Sequence, residues 1–391
     1  MDERIIKLTK LCEAIYKKEN VLELFEKYSS EIKSITPKDL FLIFHGQLKK
    51  GFSSAEILTF VDKAINVFQG GLETYAWEKP KEGSFLFYLI KENAGLIKTL
   101  EDFKSVIKQN RFSKNRSRIR EFIDKLYEYN EHLVKLENIL FPYMEKKMER
   151  YEGLKIMWSL HDATRKSLKR SVEILENEEL DEKKLKRELG SLYFKLYGLV
   201  QKQELIMFPA ATEILSQDEF FSMHLQSFDY EFPYIERPKE PKGRKERQKT
   251  IIDGNDLRGL FITETGSMSL EIVEMLINAL PVDLTFVDEN DEVAFFSRPK
   301  ERIFPRSAAV IGRDVRNCHP PESVHVVEKI IDSFKDGSKD EAKFWIQMKG
   351  MFILIQYFAL RDDEGNYRGT LEVSQEVSDI RSLEGEKRLL D

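Results

Sequence analysis

The hydrophobic period changes once along this chain of 391 residues, and that change limits the possible folds more than any other feature. Up to about residue 217 apolar side chains recur every three or four positions, as Ile5, Leu8, Leu11, Cys12 and Ile15 do at the start. After Leu260 they alternate, as across Asp283 to Asp288. A helix brings residues three and four apart onto one face and a strand brings every second residue, so a helical part followed by a part containing a sheet is expected. Between the two regimes, residues 229–258 carry Pro233, Pro238 and Pro241 among Lys239, Lys242, Arg244, Lys245, Arg247 and Lys249, with few apolar anchors. That is the composition of a solvated tether.

The helical part divides again. Residues 1–75 read as short helices. In Thr36-Pro37-Lys38-Asp39, Thr36 caps and Asp39 sits at the positive end of a helix dipole, while Ser53-Ser54-Ala55-Glu56 is a capping box. Gly70-Gly71 is expected to close the next helix, and His45 to be a packing or rim histidine. Four longer segments follow, about 84–109, 115–149, 152–176 and 180–216, with connections short enough for antiparallel neighbours. They predict a four-helix bundle over 80–225, then a linker over 226–260. The alternating part, 261–391, predicts a hairpin (283–288 returning through 292–297), a helix from Pro320 to Phe334, and strands over 343–348, 352–360 and 370–377. Two strands, helices and three more strands make a five-stranded antiparallel sheet with helices gathered on one face. Ser378 to Leu390 restart a helix. The fold class is multidomain: mainly α over the N-terminal two-thirds, then α+β.

Composition removes several function classes. Sixty-two Lys+Arg against 68 Asp+Glu leave a net charge of −6, with no nucleic-acid footprint. The charged fraction of 33% suits the dense surface ion pairing of thermophiles. Cys12 and Cys318 are too few for a disulfide framework or a thiolate metal site. Met1-Asp2-Glu3-Arg4 lacks the order of a signal peptide, and the most apolar stretch, Met351 to Leu360, is too short to span a membrane. A cytoplasmic protein without nucleic-acid or membrane partners is expected. No glycine-rich phosphate loop, nucleophile–base motif or kinase box is found, so no catalytic residue is assigned.

One internal repeat carries chemistry. Glu137-Asn138-Ile139-Leu140-Phe141-Pro142 matches Glu204-Leu205-Ile206-Met207-Phe208-Pro209 as E-x-I-x-F-P, on the second and fourth bundle helices. His132 precedes the first copy and His161 lies on the third helix. Imidazoles and carboxylates on several helices are the donors with which bundles hold iron or manganese. Residues five apart on a regular helix diverge by about 140°, so His132 and Glu137 converge only if Glu137 reaches back or the helix carries a π-bulge. Without metal, buried Glu137 and Glu204 need cations such as Lys135, Lys202 or Arg165.

H-x-x-K-x-E-N-I-L-F-P at 132–142, M-W-S-L-H-D at 157–162 and the second E-x-I-x-F-P resemble the hemerythrin-like (HHE cation-binding) domain. The resemblance implies iron or another transition metal, with His132, Glu137, His161 and Glu204 at ligand positions and Glu92 as a further candidate on the first helix. The chain departs from the pattern in three places. Leu199 replaces a histidine of the fourth helix, Arg165 stands where a paired histidine belongs, and the first helix has none around Ser84 and Phe87.

The C-terminal strand order and the turn from Val287 to Asp291 resemble a PAS domain over about 268–380, and Ser378-Asp379-Ile380-Arg381 is similar to the motif leading into a signalling helix. The strings Pro281 to Asp288, Phe295-Phe296-Ser297, Arg302 to Arg306 and Asn317 to Pro321, with the helices ahead, resemble bacterial and archaeal proteins joining domain of unknown function 438, a hemerythrin-like domain and a PAS domain. Such a domain implies a ligand between sheet and helices, or pairing with another copy. Phe286, Phe295, Phe352 and Phe358 are the apolar candidates for such a cofactor pocket, or else ordinary sheet core, and His325 would serve a haem; the ligand itself is not identified. A second copy or a signalling partner is expected to bind through the PAS domain and the C-terminal helix. The expected function is sensory or regulatory; the alternative is a non-haem iron protein handling oxygen, nitric oxide or iron.

Overall fold

The computed structural model describes residues 3–108, 112–240, 260–263 and 266–387. They form two compact units, Met1–Glu240 and Pro241–Asp391.

The first unit opens with α1 (Glu3–Lys17), α2 (Leu22–Lys27), α3 (Ser29–Lys33), α4 (Pro37–Lys49), α5 (Ser54–Leu58) and α6 (Val61–Thr74). Both capping boxes form: Asp39 N donates to Thr36 Oγ1 at 3.3 Å and Glu56 N to Ser53 Oγ at 3.2 Å. Gly70-Gly71 does not close its helix but lies inside α6. Gly71 is there for close approach, since a Cβ on it would stand 2.5 Å from the Ile32 carbonyl oxygen.

The bundle comprises α7 (Phe85–Lys108), then α8 (Arg116–Lys135) continued by α9 (Phe141–Lys147), α10 (Leu154–Glu176), and α11 (Glu182–Lys202) continued by α12 (Phe208–Ile214). The second and fourth rods are each interrupted by a π-helical turn, Leu136–Leu140 and Gln203–Met207. The repeat accounts for both. Pro142 and Pro209 have no N–H for the carbonyl four residues back and their rings crowd it, and a wider turn with one extra residue relieves the clash. One apolar cluster runs from Ile5, Phe41 and Phe68 into Leu96, Ile139 and Leu196, so the short helices and the bundle share a core.

After α13 (Gln217–Ser227) the chain does not become a tether at 226 as the composition suggests. Phe228, Tyr230 and Phe232 are buried, and Tyr234 Oη donates to the Lys125 carbonyl at 2.6 Å. Aromatic side chains spaced between prolines supply anchors that a count of charges overlooks. The basic run 241–259 lies outside the described residues.

The second unit contains the hairpin β1 (Leu260–Thr263) and β2 (Gly266–Ser269), α14 (Leu270–Ala279), β3 (Asp283–Asp288), β4 (Val293–Phe296), α15 (Pro321–Lys335), β5 (Glu341–Met348), β6 (Met351–Arg361), β7 (Tyr367–Glu376) and α16 (Ser378–Ser382). The main sheet is five-stranded and antiparallel, in the order β4-β3-β7-β6-β5. Register decides its faces. Thr285 pairs with Phe296 and Glu372, and Val287 pairs with Val293 and Thr370. Val287, Val293 and Phe296 bury against Ile331 of α15, so theirs is the inner face. Phe286, one residue out of phase, pairs with Phe295 and Leu371 on the outer face. The expected C-terminal helix is a single short segment, Ser378–Ser382, within the described residues; Gly385, at φ +66°, follows it. Among the described residues no helix is long and apolar enough to cross a membrane.

Candidate functional site

The bundle interior holds two carboxylates, each gripped by a histidine and a cation. In the first group His132 of α8 donates from Nδ1 to Glu92 Oε2 of α7 at 2.8 Å, and Lys135 Nζ bonds Glu92 Oε1. Glu92 and His132 are 0% exposed and Lys135 is 1% exposed. Burial lowers the pKa of His132 and of Lys135, against the pull of Glu92. The other imidazole nitrogen, Nε2, lies 3.0 Å from the Gln203 side-chain amide, and Tyr129 Oη lies 2.7 Å from Asn93 Oδ1 and 3.0 Å from Gln203 Oε1. The Tyr129 and His132 rings stack at 4.5 Å.

In the second group the π turn presents Glu137 to α10. His161 Nδ1 lies 2.7 Å from Glu137 Oε1, and Arg165 Nη2 lies 2.8 Å from both carboxylate oxygens. Burial alone would raise the Glu137 carboxyl, but Arg165 and His161 together hold it below its ordinary value. Burial pushes His161 down. Arg165 also reaches Asn130 Oδ1 at 2.8 Å and Asp162 Oδ1 at 3.4 Å.

Of the five residues expected as metal ligands, the structure thus brings Glu92 to His132 and, separately, Glu137 to His161. Glu204 is apart from both carboxylates: half-buried on the second π turn, it accepts from Asn93 Nδ2 at 3.2 Å, and burial raises its pKa. Lys202 turns away from it to Asp62 of α6. Four partners escaped sequence reasoning: Asn93, Tyr129, Asn130 and Gln203. A signal for Gln203 existed, because the first repeat has Leu136 before its glutamate where the second has Gln203.

This donor set does not fit a divalent metal. Glu92 is matched by Lys135 and Glu137 by Arg165, so each of these two buried carboxylates already has its counter-charge, and a dication would have to displace those cations to be neutralised by them. Each imidazole has committed one nitrogen to a carboxylate. Among the described residues His161 Nε2 is buried without a hydrogen-bond partner, but one open nitrogen is not a coordination sphere. Among the described residues no three His, Cys, Asp or Glu side chains group as metal ligands would.

In the second unit the expected pocket residues fall on the outer face or outside. Phe286, Phe295 and Phe358 share the outer face through Leu371, and Phe352, opposite Gln347, joins them, with the Arg381 guanidinium 3.8 Å over its ring. His325 is exposed on α15. The inner face is more polar than expected. Thr285, Glu372 and Tyr357 are cross-strand neighbours there, and Arg306 Nη2 stands 3.5 Å from Glu372 Oε2. Burial raises Tyr357 and lowers His319.

Residues 87–211 match the family described as hemerythrin HHE cation binding domain, and residues 273–378 match the PAS domain. Among solved structures, a C-terminal domain from Streptococcus mutans is 29% identical, covering 33% of this chain and 100% of that one, with a TM-score of 0.32. The PAS domain of a protein from Colwellia psychrerythraea is 13% identical over 28% of this chain and 98% of its own, at a TM-score of 0.23. A sensory box sensor histidine kinase from Vibrio cholerae is 14% identical over 28% and 91%, at 0.22. No curated protein matches the chain.

Proposed function

We propose that this chain, which joins a hemerythrin HHE domain to a PAS domain, is a cytoplasmic sensory or regulatory protein whose PAS domain pairs with a second copy of itself. The observation that carries this reading is the outer face of the sheet. Phe295, Trp345 and Leu360 are 39%, 64% and 37% exposed there, beside half-buried Phe286, Leu354, Phe358 and Leu371. An apolar patch spanning the strands of a sheet is one that water disfavours, and a copy of the same face is self-complementary by symmetry. Nearby in sequence, Met275 and Leu276 of α14 are 60% and 52% exposed and offer the same kind of surface.

The alternative, a non-haem iron protein, asks the bundle carboxylates to bind metal while they are engaged with Lys135 and Arg165. The regulatory reading makes no such demand. Its test is the mass of the full chain by light scattering across a concentration series, with Trp345→Glu as the perturbation. A dimer that the substitution converts to monomer supports the reading. A wild-type chain that stays monomeric at about 100 μM, far above the Kd of a functional pair, ends it.

A further inference from the structure

The two buried groups of the bundle have the same construction. On α8, His132 is followed three residues later by Lys135; on α10, His161 is followed four residues later by Arg165. Both spacings put imidazole and cation on one helix face, one turn apart. Each such pair closes on one carboxylate from a neighbouring rod: His132 and Lys135 on Glu92 of α7, His161 and Arg165 on Glu137 of the π turn after α8. The imidazole contacts are alike, at 2.8 and 2.7 Å, and each carboxylate meets a cationic side chain.

We propose that Lys135 and Arg165 are built-in counter-ions that occupy the role of metal ions in this bundle, so that α7, α8 and α10 are clamped together by carboxylate–imidazole–cation triads and close without metal. The sequence departures fall into place on this view. Arg165 stands where a paired histidine was expected, and its Nη2 alone lies 2.8 Å from both oxygens of Glu137, the place between the two oxygens that a chelated metal would otherwise take. Leu199, where the fourth helix was expected to offer a histidine, is 1% exposed and belongs to the apolar core. The proposal concerns the bundle alone and stands or falls independently of pairing through the PAS domain.

The experiment uses the full chain. Purified without added metal and passed over a desalting column, it should carry under about 0.1 equivalent of iron, manganese, zinc or cobalt by mass spectrometry, and neither EDTA nor added Co(II) should move its thermal midpoint measurably. Stoichiometric metal, or a midpoint that EDTA lowers, overturns the proposal. Arg165→Met should lower the bundle's midpoint by roughly 10 °C through a stranded carboxylate, and Glu137→Gln/Arg165→Met should recover most of that loss. Failure of the second substitution to rescue also overturns it. In the opposite direction, Lys135→Met/Arg165→His removes two positive charges and adds an imidazole, and should gain Co(II) uptake visible as a d–d absorption. A variant that folds by circular dichroism yet takes up no Co(II) refutes the role given to the two cations. Should that variant not fold, the wild-type metal content and the Arg165 rescue decide.

Discussion

Replacing Lys135 by Met removes one charge from the driest part of the bundle and little else. Methionine keeps the unbranched shape and nearly the volume, so the cavity term is small. The loss falls on Glu92, which is 0% exposed and keeps the His132 Nδ1 contact at 2.8 Å. Breaking one side of a buried pair costs about 3–5 kcal/mol, and the surviving imidazole bond argues for the lower end. The ammonium also lies 4.3 Å from the centroid of the Phe232 ring, a contact worth about 0.5–2 kcal/mol that vanishes with it. The expected total is about 4 kcal/mol, or a urea midpoint lower by about 1–2 M. Glu92→Gln in the same chain removes the stranded charge and should bring the loss back to about 1 kcal/mol. Trp158, whose ring is 6.2 Å from that of Phe141, reports bundle unfolding by fluorescence once Trp77 and Trp345 are changed to Phe. A single-variant loss under about 1 kcal/mol, or a double variant no more stable than the single, would refute the pairing argument.

Two further outcomes follow from the same unit. Gly95 faces the chain that folds back over the bundle, and a Cβ on it would stand 2.3 Å from Tyr234 Cβ; Gly95→Ala should therefore cost about 1–3 kcal/mol and speed chymotryptic cleavage between Phe228 and Tyr234, and unchanged cleavage would show that segment to be loosely held. His224 stacks on Tyr88 at 5.3 Å, and burial lowers its pKa from 6.5 to about 4. Because the folded value is the depressed one, its contribution to stability is fully present above pH 6.5 and is lost as pH falls towards 4, so His224→Phe should flatten the acid limb of urea midpoint against pH, and an identical limb would exclude His224 as its source.

Much of the architecture was legible in local chemistry. The change of period marked where helices end and strands begin, since side-chain spacing along one element is a property of its own backbone. Thr36 and Ser53 announced their caps, because a capping box closes within four residues. The five-residue spacing of His132 and Glu137 left two alternatives, a glutamate that reaches back or a π-bulge, and the structure has a π turn there and a second one in the other copy of the repeat. Gly70-Gly71 misled because glycine serves both to end a helix and to let another backbone approach, and only the Ile32 carbonyl distinguishes the two.

What the chain order could not supply was partnership. Glu92 and His132 are forty residues apart in sequence and meet only because α7 and α8 pack side by side. Whether a buried carboxylate meets a cation of its own chain or a metal depends on which side chains the neighbouring rods aim at it, and here those are Lys135 and Arg165. The same holds for the sheet. Alternation shows that Phe286 and Val287 point to opposite sides, but which side is covered was decided by where α15 lies, and it lies on Val287. Backbone geometry repeats every few residues and can be read from the residues themselves; charge compensation and burial are set by contacts between distant elements and exist only once they have packed.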